Sequence, residues 1–199
     1  MKKLALILLS TLLATSAIAN QVENNEHVGE KQKRLHEKHE KVSPYYITLK
    51  PMVTNGGTID EGSEVLTGSN AYGLGLDAGY YIFSQLAIEF STTYSLNTVS
   101  KLESAETIDA SATYYSVAVN IVYKQPIFHE FAIFGKLGYE FEEEIVDTFD
   151  IKENSTGIDY AFGLSYEISH HIGVLAEYES STIDSLRGDA YFIGAEYRF

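Results

Sequence analysis

The sequence predicts an all-β protein, an eight-stranded antiparallel up-and-down transmembrane β-barrel. Three observations lead there. Apolar side chains alternate with small or polar ones through eight segments between Tyr45 and Phe199, the period-two mark of strands with two unlike faces. The links between those segments alternate between long and short, as in bacterial barrels with long outer loops and short periplasmic turns. The chain also opens with an export signal. Composition agrees, because 15 Tyr and 15 Gly stand beside only 3 Pro in 199 residues. Strands use aromatics freely, and glycine allows close backbone approach.

Taken in order, residues 1–19 place Lys2 and Lys3 before the apolar run Leu4 to Leu13 and finish on Ala17-Ile18-Ala19. A basic start, a short apolar stretch and a small-residue site make a cleaved secretory signal peptide. The apolar run is about half of the ~20 residues that a spanning helix needs. Residues 20–43 follow as a polar tail in which five acids balance five bases. It cannot bury enough apolar surface to fold alone, and we read it as a disordered periplasmic tail. Within it, His36-Glu37-Lys38-His39 is one residue short of the H-E-x-x-H zinc motif. With His27 it still makes an incomplete ligand set, so no metal is assigned.

The barrel domain, 44–199, then alternates strand by strand. In 45–53, Tyr45, Ile47, Leu49, Pro51 and Val53 oppose Tyr46, Thr48, Lys50 and Met52. In 72–82, Tyr72, Leu74, Leu76, Tyr80 and Ile82 oppose Gly73, Gly75, Asp77 and Gly79. The segment 86–96 sets Leu86, Ile88, Phe90 and Tyr94 against Ala87, Glu89, Ser91, Thr93 and Ser95. In 115–123, Tyr115, Val117, Val119 and Ile121 face away from Ser116, Ala118 and Asn120. In 131–141, Phe131, Ile133, Leu137, Tyr139 and Phe141 oppose Phe134, Lys136, Gly138 and Glu140. Segments 158–168, 172–179 and 190–199 complete the eight. Each is ~9–11 residues, enough to cross a bilayer at a steep tilt.

The links are long at 54–71, 97–114 and 142–157, moderately long at 180–189, and short at 83–85, 124–130 and 169–171. A soluble lipocalin-type barrel would alternate too, with its apolar set turned inward. Here one face is nearly unbroken Leu, Ile, Val, Tyr and Phe, with rings near the strand ends, where amphipathic groups meet lipid headgroups. The opposite face mixes Gly, Ala and Ser with Glu, Asp and Lys. That mixture suits a tight polar interior.

The last residues read Gly194-Ala195-Glu196-Tyr197-Arg198-Phe199. Gly194, Tyr197 and Phe199 fill the fixed positions of Gly-x-x-aromatic-x-Phe, and the ending resembles the C-terminal assembly signal of outer-membrane barrels. With the strand count and the export signal, residues 45–199 resemble the small eight-stranded OmpA/OmpX-like barrel group of the porin-like superfamily. The resemblance implies a monomeric, multi-pass protein of a Gram-negative outer membrane, surrounded by outer-membrane lipid. It also implies recognition by the barrel-assembly machinery through the C-terminal strand. It does not extend to the 20–43 tail, nor to the peptidoglycan-binding domain of longer relatives.

Eight strands enclose a lumen just wide enough for side chains to fill. Lys50, Asp77, Lys136 and Glu177 each lie about five residues in from the periplasmic end, which predicts one neutral tier plugging the lumen. Glu89, Glu140 and Glu196 fall on other levels by the same count, with Arg198 and Glu167 near the periplasmic mouth.

Residues 44–199 hold seven bases against 23 acids, a charge of −16, with acid concentrated in the links 54–71 and 142–157. Such a chain excludes nucleic acid as a partner and invites a basic host or phage protein at the acidic loops. With no cysteine there is no disulfide, thiolate metal site or Cys nucleophile. Lipid A deacylases and palmitoyltransferases of similar architecture need His with Ser in the outer half of the barrel. Here His129, His170 and His171 all fall in short links, so no base serves that side and no catalytic residue, cofactor or metal is assigned. The function predicted is a structural or surface-interaction role, adhesin- or surface-antigen-like, carried by acidic extracellular loops. A narrow ion or small-solute channel, porin-like and blocked by the charged tier, is the alternative.

Overall fold

A computed structural model describes residues 43–60, 65–103, 106–146 and 151–199. The expected signal peptide 1–19 and all but Ser43 of the expected 20–43 tail lie outside the described residues. Ten strands occur among the described residues: β1 Tyr45–Thr54, β2 Thr58–Asp60, β3 Val65–Gly68, β4 Ala71–Phe83 and β5 Leu86–Glu103. They continue as β6 Glu106–Phe128, β7 Phe131–Val146, β8 Ile151–Ser169, β9 Ile172–Ser181 and β10 Ala190–Arg198.

Eight of these close into a cylinder in the order β1-β4-β5-β6-β7-β8-β9-β10, every neighbour antiparallel. The seam joins β10 back to β1, with Ile47 opposite Tyr197 and Thr54 opposite Ala190. Closure leaves no sheet edge in the hydrocarbon, where an unpaired backbone group has no water to turn to.

The alternation read from sequence fixes which way each side chain points. Along β1 exposure and burial change places at every residue, so Lys50 and Met52 face in while Leu49 and Val53 face out. Outward apolar side chains are far more open than in a soluble fold, with Leu49 57%, Phe162 61% and Ile193 72% exposed. So much contiguous apolar surface marks a lipid-facing wall. Rings pair along both rims: Tyr45 with Tyr80 and Phe131 with Tyr166 at one end, Tyr94 with Tyr115 and Tyr178 with Tyr191 at the other. These are the girdles that sit at headgroup level. Inside, glycine makes room for large neighbours. A Cβ on Gly79 would run into the Tyr46 ring.

Three two-residue turns share one end: Ser84-Gln85, His129-Glu130 and His170-His171. Short turns are the periplasmic end of an outer-membrane barrel. At the opposite end the structure departs from the sequence reading in two ways. The links 97–114 and 142–157 are largely strand rather than loop, because β5 runs on to Glu103 against β6, and β7 to Val146 against β8. Continued pairing satisfies backbone groups that a loop would leave to water, and β-branched residues such as Thr98, Val99, Ile145 and Val146 favour it. The link 54–71 is also structured. It carries the hairpin β2–β3, and β3 adds to the outer end of β5 with Gly68 opposite Val99.

Residues 182–189, between β9 and β10, fold across the outer mouth. Leu186 is buried against Val99, Ala110, Ala112, Tyr114 and Val146. Its carbonyl accepts from the Gly57 N–H at 2.8 Å and from Asn97 Nδ2 at 3.1 Å. A side chain at Gly68 would collide with that carbonyl. The segment therefore sits in a seat shaped for it.

Candidate functional site

Alternation drives charged side chains inward from most barrel strands, and a buried charge must find a counter-charge. The lumen answers with three charged layers. In the middle one, Lys50 Nζ lies 3.0 Å from Asp77 Oδ2 and 2.6 Å from Glu177 Oε1. Lys136 Nζ lies 3.2 Å from Asp77 Oδ2, 2.7 Å from Glu177 Oε2 and 2.6 Å from Glu89 Oε1. The structure thus brings Lys50, Asp77, Lys136 and Glu177 together. It also corrects the placement of Glu89, which joins this layer rather than another level. Counting along the chain ignores strand tilt, and the long Lys136 side chain spans the stagger. Tyr46 Oη donates to Glu89 Oε2 at 2.7 Å, and Lys50 Nζ stands 4.3 Å over the Phe192 ring.

The periplasmic layer pairs Lys124 with Glu196 at 3.1 Å, and Arg198 with Glu196 at 2.7 Å and Glu167 at 3.2 Å. It floors a cavity of about 360 Å³ open to the short-turn end, with Tyr81, Lys124, Glu196 and Arg198 in its wall. Of the terminal motif, Gly194 lies against Leu175 and Thr48 in the wall, too close to take a larger side chain freely. Tyr197 and Phe199 meet edge to face at 5.2 Å on the outside.

The outer layer was missed from sequence. Arg187, carried by the segment 182–189, reaches down to Glu140 at 3.1 Å, Glu142 at 2.9 Å and Glu179 at 3.9 Å. Only one signal for it existed, a single arginine in a link otherwise short of base. Above it, Tyr114 Oη donates to Glu144 Oε1 at 2.9 Å. Burial, with Glu142 and Glu153 nearby, pushes the Glu144 carboxyl up to about 6 against that hydrogen bond.

This construction, a lipid-facing wall around a charged lumen, is an outer-membrane design, and residues 5–199 match the family described as outer membrane protein beta-barrel domain. The chain belongs to that family. The barrel's place is accordingly the bacterial outer membrane. Solved structures agree on the fold. OprG from Pseudomonas aeruginosa superposes with a TM-score of 0.64 at 12% identity, over 79% of this chain and 97% of that one. Ail, the attachment invasion locus protein of Yersinia pestis, gives 0.51 at 21% identity, over 79% and 99%. Neisserial surface protein A gives 0.52 at 15% identity, over 80% and 98%. No curated protein matches the sequence.

On the outer-membrane barrel, the outer rim presents the remaining candidate surface. Beyond the last β8–β9 pair, Asp159 with Ser181, β8 continues along β7 as far as Ile151. Ile158 turns its backbone toward the β9 side, donating to Thr182 Oγ1 and accepting from Thr182 N, both at 2.9 Å. Alternate residues turn the same way. Lys152, Asn154 and Thr156 therefore direct their backbone groups to a side that no strand pairs among the described residues. Glu153 and Asp184 are exposed nearby, and Lys152 is held by Glu143 at 2.7 Å. His129, His170 and His171 lie at the periplasmic turns, His171 Nδ1 bonded to the Arg198 carbonyl at 2.8 Å. Among the described residues no group of three acidic or histidine side chains is set to hold a metal ion.

Proposed function

We propose that this protein is a closed barrel whose work is done at its outer rim, a structural or surface-interaction protein rather than a pore or an enzyme. The observation that carries this reading is the pairing of a filled lumen with a projecting sheet. Three charged layers and the segment 182–189 cross the barrel, whereas β8 offers an acidic flank and a free backbone edge to the outside. An extended basic segment of a host or phage protein fits that edge by strand addition, main-chain bonds giving affinity and charge giving specificity. The name of Ail, an attachment protein of the same fold, is in keeping with such a role. Among the described residues, His129, His170 and His171 all lie at the short-turn end and supply no base at the outer surface, which is why we read the barrel as non-catalytic.

In the same reading, residues 1–19 are removed on export and 20–43 remain as a periplasmic tail. Gly194, Tyr197 and Phe199 present the last strand to the assembly machinery, and the barrel stays monomeric. Refolded protein in a planar bilayer should pass no steady current. It should bind an extended Lys/Arg-rich peptide, more weakly in high salt. Asn154→Pro, which removes one N–H from the free edge and leaves the β7 ladder intact, should abolish that binding. Steady openings would instead assign the narrow-channel role, with the Lys50/Asp77/Lys136/Glu177 layer as its constriction.

A further inference from the structure

Three anchors hold residues 182–189 in the outer mouth. Leu186 fills an apolar seat, backbone bonds tie the segment to Asn55 and Gly57, and Arg187 reaches the acids below. Only the third depends on charge. We propose that this segment is a lid over an acidic cluster in the outer half of the lumen, latched by Arg187 at neutral pH and released when the cluster takes up protons.

Arg187 is 3% exposed, and every element around it contributes to its surroundings. From β7 come Glu140 and Glu142, and from β9 comes Glu179. From β8, Asp159 stands within electrostatic reach of Glu140 and Glu179. On β5 the contact is uncharged, Thr93 Oγ1 at 3.4 Å, and on β6 Tyr114 is engaged by Glu144. From β1, Lys50 lies beneath, already committed to the middle layer. The lid's own Asp184 faces solvent, while the Asp189 carboxylate accepts from Tyr178 Oη and its backbone N–H donates to Asn55 Oδ1.

One guanidinium thus serves four carboxylates. Asp159 Oδ1 has no hydrogen-bond partner among the described residues, in a residue only 2% exposed. A buried carboxylate oxygen left unpaired is unfavourable, and taking up a proton is its direct relief. Each proton added to Glu142 or Glu179 weakens the hold on Arg187. A buried guanidinium without its counter-charge is costly, whereas a lid swung outward returns it to water. The sign follows: closed at neutral pH, open in acid.

The chain has no cysteine, so one introduced thiol reports without background. Ser95 sits on the inward face of β5 between Thr93 and Asn97, the residues that touch Arg187 and Leu186. It is 1% exposed and its hydroxyl makes no hydrogen bond, so Ser95→Cys is a mild change. Refolded Ser95→Cys protein is treated with a pyridyl disulfide, which reacts with thiols in acid and at neutrality. Its rate is divided by that of the exposed control Glu153→Cys. Between about pH 7.5 and about pH 5 the ratio should rise about tenfold or more, and adding Arg187→Gln should make it high at both. A ratio that does not change with pH overturns the proposal, as does a pH dependence that survives Arg187→Gln. Should Arg187→Gln fail to close into a barrel, Glu142→Gln serves, because losing one holder must move the transition to higher pH. An unmoved transition also overturns the latch.

Discussion

Lys136 touches three acids, Asp77, Glu89 and Glu177, from a side chain that is almost entirely enclosed. Its worth to the fold differs from that of a surface lysine. An exposed pair contributes at most about 1 kcal/mol, but removing one partner of a buried network leaves the others charged and dry, at about 3–5 kcal/mol. Lys136→Ala should therefore lower the urea midpoint of the refolded barrel sharply, and a shift within error would remove this layer from the account of its stability. Lys136→Met should be milder than Lys136→Ala only if packing rather than charge is what the site needs. Legibility at this scale was uneven. Lys50, Asp77, Lys136 and Glu177 were brought into one tier by counting from the strand ends. Glu89 was missed because the count treats strands as upright. Arg187 was missed because nothing local tells where a link of this length will lie.

At the scale of elements, the strands were legible because lipid imposes one rule on all of them. A residue facing hydrocarbon must be apolar and its neighbour inside need not be, so period two survives along every crossing. Above the membrane that constraint ends. The extensions of β5 to β8 carry mixed residues on both faces, such as Asn97, Ser100 and Lys101 on β5, and no pattern separates them from loop. The periplasmic turns are tight enough to strain one residue. His129 has a φ of 47°, a left-handed conformation that costs most for a β-branched side chain and nothing for glycine. His129→Gly should leave the unfolding free energy unchanged or slightly raised, while His129→Val should lower it by about 1–2 kcal/mol. Equal effects of the two variants would mean that the turn is set by its neighbours.

For the whole molecule, the near-neutral average hydropathy hides two opposite surfaces. The outer wall is rich in Leu, Ile, Val, Tyr and Phe, and the lumen is crossed by ion pairs; the average of the two resembles a soluble chain. Closure adds cooperativity, since each barrel strand has two partners and none can leave without unpairing both. Samples kept unheated in detergent should therefore run on a gel at a different mobility from boiled ones. One common mobility for both samples would count against a barrel that persists in detergent. The lid and middle layer should not affect this test, because the strand ladder and not the lumen sets the shape that the gel senses.

The pairing of β1 with β10 also governs how the cylinder comes to exist. Every other ladder of the barrel pairs strands that are successive in the cylinder's chain order, and each can form as a hairpin. The seam brings Tyr46 opposite Arg198, across nearly the whole barrel sequence. Joining such distant partners costs chain entropy before any bond repays it, and topologies ruled by distant contacts assemble slowly. An open sheet already holding seven hairpin pairings is thus the natural precursor, and the ring locks only when its last strand finds its first.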